Sequence, residues 1–399
     1  MPSTRTKVLS HIWNNPGTHR QEIAAHFGLH PNLVSDAVKT LIKERWVVAG
    51  EAKQSSAGRS PIALYLDSKN HAVISVSYSP DSMTCGLVNA AGDILRSTVC
   101  AHNRSDPDSI VDLAVKQINK LKKGYQGMIS GLAIADPGMV DHCKGKVIRS
   151  SSFPGWYKVA LAEMFNVKTG LETTVVDITH ARAMAQYRVL AGRCQNADTM
   201  LYVDYTFGII GFVFLTPGGI WRGEGFAGEV GHVVMDPHGP LCRCGARGCL
   251  ESQSGCRALE CYATTLLEKD VHSVLRKKGR LNAADIFHAA KNGDRLARTI
   301  VRDILADLGL CTAILVAMLH PRLLVVGGET ENAIAVITDE IRQAIEKRVL
   351  SEIASSVAVI EGRPTNPLAL LGAGFIMFER VISYNGKKPE SRKKEAEDE

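Results

Sequence analysis

Between Glu229 and Glu251 the chain reads E-V-G-H-V-V-M-D-P-H-G-P-L-C-R-C-G-A-R-G-C-L-E, a stretch rich in side chains that bind metal. His232, Cys242, Cys244 and Cys249 fall within eighteen positions in the spacing H-x9-C-x-C-x4-C. Gly239, Pro240, Gly245 and Gly248 lie between them and let the backbone fold tightly. Three thiolates and one imidazole predict a closed, tetrahedral, structural Zn2+ site. The loop has few apolar residues to fix its shape, so metal binding would supply its folding free energy. Any one of these cysteines taken alone reads equally well as a small buried hydrophobe.

The run G-E-V-G-H followed by D-P-x-G-P-x-C-x-C-G-x-x-G-C-L-E resembles the signature of the ROK family, which unites sugar kinases with sugar-responsive transcriptional repressors. The resemblance extends over roughly residues 5 to 382. It implies a two-lobed, actin-like (ribonuclease H-like) α/β sugar-kinase fold and a sugar pocket lined by Glu229, His232 and Glu251. His232 would then bind zinc through one ring nitrogen and face the ligand with the other, which fixes the imidazole tautomer. The alternative for the two glutamates is a helix cap or a surface charge.

The elements that must hold this stretch begin with a separate module. A chain of 399 residues, 45% hydrophobic and 22% charged, is long enough for two or three domains. Its formal charge is +6, of which the first 70 residues carry +4, from nine Lys/Arg against five Asp/Glu. That asymmetry points toward nucleic acid. Val8, Leu9, Ile12 and Trp13 recur at helical spacing, and a second helix is expected from about Arg20 to Phe27 with Thr18 as its N-cap. A third begins at Pro31 and turns Val34, Val38, Leu41 and Ile42 inward. Gly28-Leu29-His30 joins the last two in a helix-turn-helix arrangement, which leaves Asn32, Ser35, Asp36 and Lys39 as base readers. The strands Trp46-Val47-Val48 and Ile62 to Leu66 flank a basic tip, making a winged helix over residues 1–67. Its A-G-R-S-P tip resembles the G-R-x-P wing of ROK repressors, which places Arg59 on the minor groove or phosphates. A three-helix module used for protein contacts is the alternative.

The body is expected over residues 68–384, with a first lobe at about 68–180 joined by a C-terminal helix at 368–382, and a second lobe at about 181–367. Gly372 and Gly374 allow that last helix to pack closely. Leu296 to Leu319 reads as one apolar helical segment. Residues 385–399, with five basic and five acidic side chains and no apolar run, are expected to be disordered. The seven cysteines outside the cluster show no disulfide framework and read as free thiols. No apolar run approaches a membrane span and no secretory signal is apparent, so a cytoplasmic chain is expected.

The body departs from the kinase pattern of the family it resembles. Ser77, Ser79, Pro80 and Asp81 stand where D-x-G-G-T cradles nucleotide phosphates, and proline removes an N–H that a phosphate would need. Ile210 occupies a glycine position of the second phosphate hairpin, Tyr205 to Gly211. Val325 to Glu329 keeps the family's glycine turn, which serves equally as a plain strand-to-helix turn. Gly131 to Asp141 resembles the loop beside the sugar, and in the segment Ser150 to Trp156 that follows, Ser152 stands at the third place, where the family usually has Asn. The family's N-D pair falls on Thr179-His180 in one register and on Asp177-Ile178 in another, and neither register leaves Asp on the catalytic position, although Asp177 is close enough that a local shift could restore one. A kinase needs that carboxylate to accept the hydroxyl proton. The expectation is therefore a homodimeric or homotetrameric repressor that reads double-stranded operator DNA and senses a sugar-like effector at Ser152, His180, Glu229, His232 and Glu251 without phosphorylating it. An ATP-dependent sugar kinase with an accessory DNA-binding domain is the rival, and an interaction protein with a dead pocket a third.

Overall fold

The structure, a computed structural model, describes residues 2–52, 61–150, 152–190, 198–206, 209–216, 218–223, 226–268, 272–364 and 366–384. The wing tip with Arg59 and the charged segment 385–399 lie outside the described residues.

Helix α1 (Thr4–Asn14) starts at Ser3, whose hydroxyl accepts from the Thr6 N–H, and buries Val8, Leu9, Ile12 and Trp13. Helix α2 (Arg20–Phe27) is capped by His19 rather than Thr18. His19 Nδ1 accepts from the Glu22 N–H while the Glu22 carboxylate accepts from the His19 N–H, a reciprocal pairing that needs Glu three residues after the cap. Thr18 donates its hydroxyl to the same carboxylate. Helix α3 (Pro31–Lys43) buries Val34, Val38 and Leu41, whereas Ile42, expected inward, is 36% exposed at the margin of that stripe. Strands β1 (Val47–Ala52) and β2 (Ile62–Leu66) pair antiparallel with Val47 opposite Leu66, forming the wing stem. Trp46, just ahead of β1, stacks on His71 with ring centroids 3.6 Å apart and so ties the module to the body.

The first sheet contains β3 (His71–Tyr78), β4 (Ser82–Asn89), β5 (Ile94–Ala101), β6 (Met128–Asp136) and β10 (Thr173–Asp177), in the order β10-β6-β3-β4-β5. Helices α4 (Pro107–Lys122) and α5 (Leu161–Thr169) contribute Ile110, Val111, Ala114, Ile118, Leu161 and Phe165 to one apolar layer with this sheet. Short strands β7 (Met139–Asp141), β8 (Lys146–Arg149) and β9 (Tyr157–Val159) form a flap that follows β6. Helix α6 (Ile178–Leu190) then continues straight from β10.

The second sheet repeats this plan, with β11 (Met200–Thr206), β12 (Ile209–Thr216), β13 (Gly219–Trp221), β14 (Leu323–Gly328) and β15 (Ala358–Glu361) in the order β13-β12-β11-β14-β15. In each sheet an antiparallel hairpin adjoins parallel strands, the arrangement expected of two related α/β lobes. Helices α7 (Leu250–Ser254), α8 (Cys256–Leu267), α9 (Ala283–Lys291), α10 (Arg295–Ile304), α11 (Ala306–Leu319), α12 (Glu331–Arg348) and α13 (Ser351–Ala354) complete this lobe. The single helix expected over Leu296 to Leu319 is two. At Leu305 the backbone leaves helical geometry (φ −87°, ψ 2°), which keeps the apolar stripe of α10 and that of α11 in the same core.

Helix α14 (Leu368–Tyr384) crosses back and packs against α6 and the first sheet. A Cβ at Gly372 would lie 1.6 Å from the Ala181 carbonyl oxygen, so glycine is required for this crossing. The core formed by α6 and α14 runs without a break into that of the winged helix. Trp13 Nε1 donates to the Ala90 carbonyl at 2.9 Å, and the Arg188 guanidinium lies 3.6 Å from the Trp13 ring centre.

Candidate functional site

A cleft of about 580 Å³ opens at the carboxyl ends of β6 and β10, where open α/β sheets present ligand sites. Asp136 ends β6 and Asp177 ends β10, paired in register across the two strands. Its first-lobe wall includes Pro137, Arg149, Ser150, Trp156, Asp177 and His180; its second-lobe wall includes Ile210, Glu229, His232, Arg243 and Glu251. The sequence-expected His180, Glu229, His232 and Glu251 thus share one cavity. Ser152 is not among the described residues lining it, and Ser150, two positions earlier, is.

His232, Cys242, Cys244 and Cys249 converge, each offering one donor atom within 4.8 Å of the others. Cys242 Sγ is 3.6 Å from His232 Nδ1, and Cys244 Sγ is 3.6 Å from Cys249 Sγ. Metal–ligand bonds of about 2.0–2.3 Å in a tetrahedron separate the donors by roughly 3.4–3.8 Å, so the four fit zinc. The loop's own backbone shapes the set. Cys242 N–H donates to the Ala246 carbonyl and Gly245 N–H to that of Cys242. At Gly248, φ is +69° and a Cβ would fall 1.5 Å from the Asp236 carbonyl oxygen, so only glycine fits.

The cluster fixes one edge of the cleft. With Nδ1 turned to Cys242, His232 places Nε2 4.0 Å from Glu229 Oε2. Glu251 sits in the first turn of α7, where its carboxylate accepts from the Ile210 N–H at 3.2 Å and lies 3.8 Å from Arg243. Burial pushes Glu251 above its ordinary range despite His232, Ile210 and Arg243. Burial, the charge of Asp177 and that of Glu251 push Glu229 up to about 7, against the opposing effect of His180.

Asp177 is the functional candidate that sequence alignment to the family leaves off the catalytic position. It caps α6, its Oδ1 accepting from the N–H groups of Thr179 (2.7 Å) and His180 (3.1 Å), while Oδ2 lies 2.7 Å from His180 Nδ1. Burial works to raise it, but His180 and His142 with these hydrogen bonds hold it down to about 2. Both candidate registers therefore meet in one wall: Asp177 and His180 face the cleft together. The D-x-x-H spacing at a strand-to-helix junction was the available signal. His142, in the turn between β7 and β8, packs edge-on against His180 at 4.9 Å between ring centres. Burial first, then the charges of His180 and Arg222, lower its pKa to about 4. Nothing in the sequence marks this residue. Asp136 is fully buried; it accepts from the Gly138 N–H at 2.6 Å and from the Tyr78 hydroxyl, and burial pushes it up to about 6.

In the β3–β4 turn Ser79 donates to the Asp81 carboxylate, and the Ser82 N–H donates to the Ser79 hydroxyl. Ile210 is buried in β12. Gly211 beside it is retained because a Cβ there would lie 2.7 Å from Thr179 of α6. On α3, Asn32, Asp36 and Lys39 are exposed and Ser35 is half-buried, with Lys39 3.2 Å from Asp36.

The ROK family profile matches residues 73–380, and that of winged helix-turn-helix DNA-binding domains matches residues 1–48. The chain is 27% identical to a glucokinase from Thermotoga maritima over 77% of its own length and 98% of the relative's. It is 24% identical to the xylose repressor of Bacillus subtilis over 94% of each chain. The crystal structure of a ROK family transcriptional regulator, a homologue of Escherichia coli Mlc, covers 95% of this chain and 96% of its own at 24% identity, with a TM-score of 0.82.

Proposed function

The chain belongs to the ROK family, and on that footing we propose that it is a transcriptional repressor that binds operator DNA through its winged helix and senses a sugar or sugar derivative in the cleft. The observation that carries this reading is the continuity between the two. Helix α6 begins in the cleft wall with Thr179 and His180 and ends with Arg188 against Trp13 and Asn14 of the DNA-binding module. Match length agrees: the xylose repressor aligns along 94% of this chain, the glucokinase along 77%.

Asn32, Ser35, Asp36 and Lys39 are the base readers in this reading, and Arg59 on the wing meets phosphate or the minor groove. Glu229, His232 and Glu251 hydrogen-bond a polyhydroxylated effector, His180 forms the wall beside them, and Ser150 takes the wall position the sequence assigned to Ser152. Zinc in the His232/Cys242/Cys244/Cys249 cluster holds the Glu229–Glu251 edge of the cleft and takes no part in chemistry. Residues 1–67 form the DNA-binding domain and 68–384 the sensor, assembled as a homodimer or homotetramer so that paired modules meet paired half-sites. Effector binding closes the cleft, α6 moves with it, and half-site spacing is lost.

The test is binding to a mapped operator with and without D-xylose, D-glucose and their phosphates or amino derivatives. DNA binding must disappear when residues 1–66 are deleted, and at least one probe must shift operator affinity in wild type and less so in Glu229→Gln. Unchanged operator binding after the deletion rejects the assignment. A sugar kinase with an accessory DNA-binding module is the second reading, favoured by the presence of Asp177 in the cleft.

A further inference from the structure

We propose a second metal site, distinct from the cysteine cluster, in which His142 and His180 bind one divalent transition-metal ion beside the cleft and Asp177 orients His180. His142, Asp177 and His180 each offer a donor atom within 4.8 Å of the others. The stronger observation is the state of the two rings. His180 is 4% exposed and its Nδ1 lies 2.7 Å from Asp177 Oδ2, so in the neutral ring that donates from Nδ1 the free lone pair is on Nε2. That Nε2 is buried with no hydrogen-bond partner among the described residues. His142 resembles it: its Nδ1 is likewise buried without a partner among the described residues.

Two unpartnered imidazole nitrogens thus belong to rings packed against each other, 4.9 Å between centres, and neither meets a hydrogen-bond partner among the described residues. An unmet buried acceptor costs free energy, and two in one pocket are hard to account for unless something electropositive sits between them. A metal ion meets both at once. A carboxylate on the far nitrogen of a ligating histidine is the usual means of fixing tautomer and ring orientation, and Asp177, three residues before His180 at the start of α6, occupies that position. His142 is held by a rigid turn in which Asp141 accepts from the N–H groups of Cys143 and Lys144.

The donor set selects the ion. Neutral imidazoles suit Zn2+, Co2+, Ni2+ or Cu2+, and Mg2+ and Ca2+ prefer oxygen. Two nitrogens on a tetrahedral ion stand about 3.3 Å apart, and the donor atoms of the three residues lie within 4.8 Å of one another. The surrounding charges are mixed: Asp177 and Glu229 favour a cation and Arg222 opposes it. Two protein nitrogens leave coordination positions toward the cleft, which fits an effector carrying vicinal hydroxyls or a carboxylate.

The inference does not depend on DNA binding and is tested on the full-length chain by titration with Co2+ and elemental analysis. Wild type is expected to hold two ions per chain: one with the sulfur-to-metal charge-transfer band of the cysteine cluster and one with only the weaker visible band of nitrogen and oxygen ligands. His142→Gln and His180→Gln should each lose the second ion and band and keep the first, which also reports a folded body. Mg2+ should not compete. A single ion in wild type at saturation overturns the proposal, as does a second ion that survives both substitutions. Should one variant fail to fold, the wild-type stoichiometry and the other variant decide.

Discussion

Asp136 shows how a single buried carboxyl reports on its surroundings. It is fully buried and lies in register with Asp177, with no cation beside it among the described residues, and its pKa is raised from 3.8 to about 6. The folded state therefore holds a proton that the unfolded chain has released between pH 4 and 6. Stability from this group is fully present below about pH 4, falls as pH rises to about 6, and is flat above, a change of about 3 kcal/mol. Asp136→Asn keeps the shape and an acceptor for the Gly138 N–H. It should remove that slope and make the protein more stable than wild type at pH 7, as measured by denaturant midpoints across pH 4 to 8; an unchanged slope would show that the group does not titrate there. The cysteine cluster makes a second residue-scale prediction. Cys244→Ser leaves three strong ligands around the ion, so purified protein should lose zinc on mild chelation and its Tm should fall by several degrees, on the order of 2 kcal/mol. Elemental analysis of wild type without zinc would dismiss the structural-zinc reading. His232 and the cysteines were legible because their types and spacing lie within one local loop. His142 was not, since it meets His180 only after the flap folds over β10.

Among the elements, α6 touches most of what matters. Thr179 presses on Gly211, Arg182 pairs with the buried Asp204 at 2.9 Å, Gln186 exchanges hydrogen bonds with the Arg363 backbone, and Arg188 stacks on Trp13 while contacting Asn14 and Glu379. A helix buried nearly all round cannot shift at one end alone, and in the proposed coupling it is α6 that carries movement at the cleft to the winged helix. Arg188→Ala removes a cation–π contact of roughly 1–2 kcal/mol and the link to Asn14. It should leave sugar binding and zinc content unchanged and reduce the change in operator affinity caused by that sugar, measured as the ratio of Kd with and without it. An unaltered ratio would place the coupling elsewhere. The sequence could not show this role, because α6 lacks the polar face that marks a surface helix and its partners lie 22 to 191 residues away along the chain. By contrast α3, with its clean inner stripe and Pro31 start, was legible to within one residue of its burial pattern.

At the scale of the whole molecule, two lobes and a winged helix are joined through one continuous core, and the question is whether the cleft does chemistry. Phosphoryl transfer needs a phosphate cradle, a metal-holding carboxylate and a base. By resemblance Pro80 and Ile210 stand at glycine positions of that cradle; Ser79 donates to the Asp81 carboxylate, and Asp177 is a weak base at about 2 with both oxygens engaged. Each such loss costs about two to four powers of ten in comparable enzymes. ATP-dependent phosphorylation of hexoses, pentoses or amino sugars should therefore be at background in a coupled assay; turnover of roughly 1 per second or faster would promote the kinase. Taken alone, the sequence determined the family resemblance, the His232/Cys242/Cys244/Cys249 cluster and the helix-turn-helix, all of which depend on residues close together in the chain. Tertiary structure alone decided that Ser150 rather than Ser152 reaches the cleft, that Asp177 and His180 share one wall, that His142 closes on them, and that Arg188 grips Trp13. Those are contacts between distant segments, set by sheet register and helix crossing, and no local pattern encodes them.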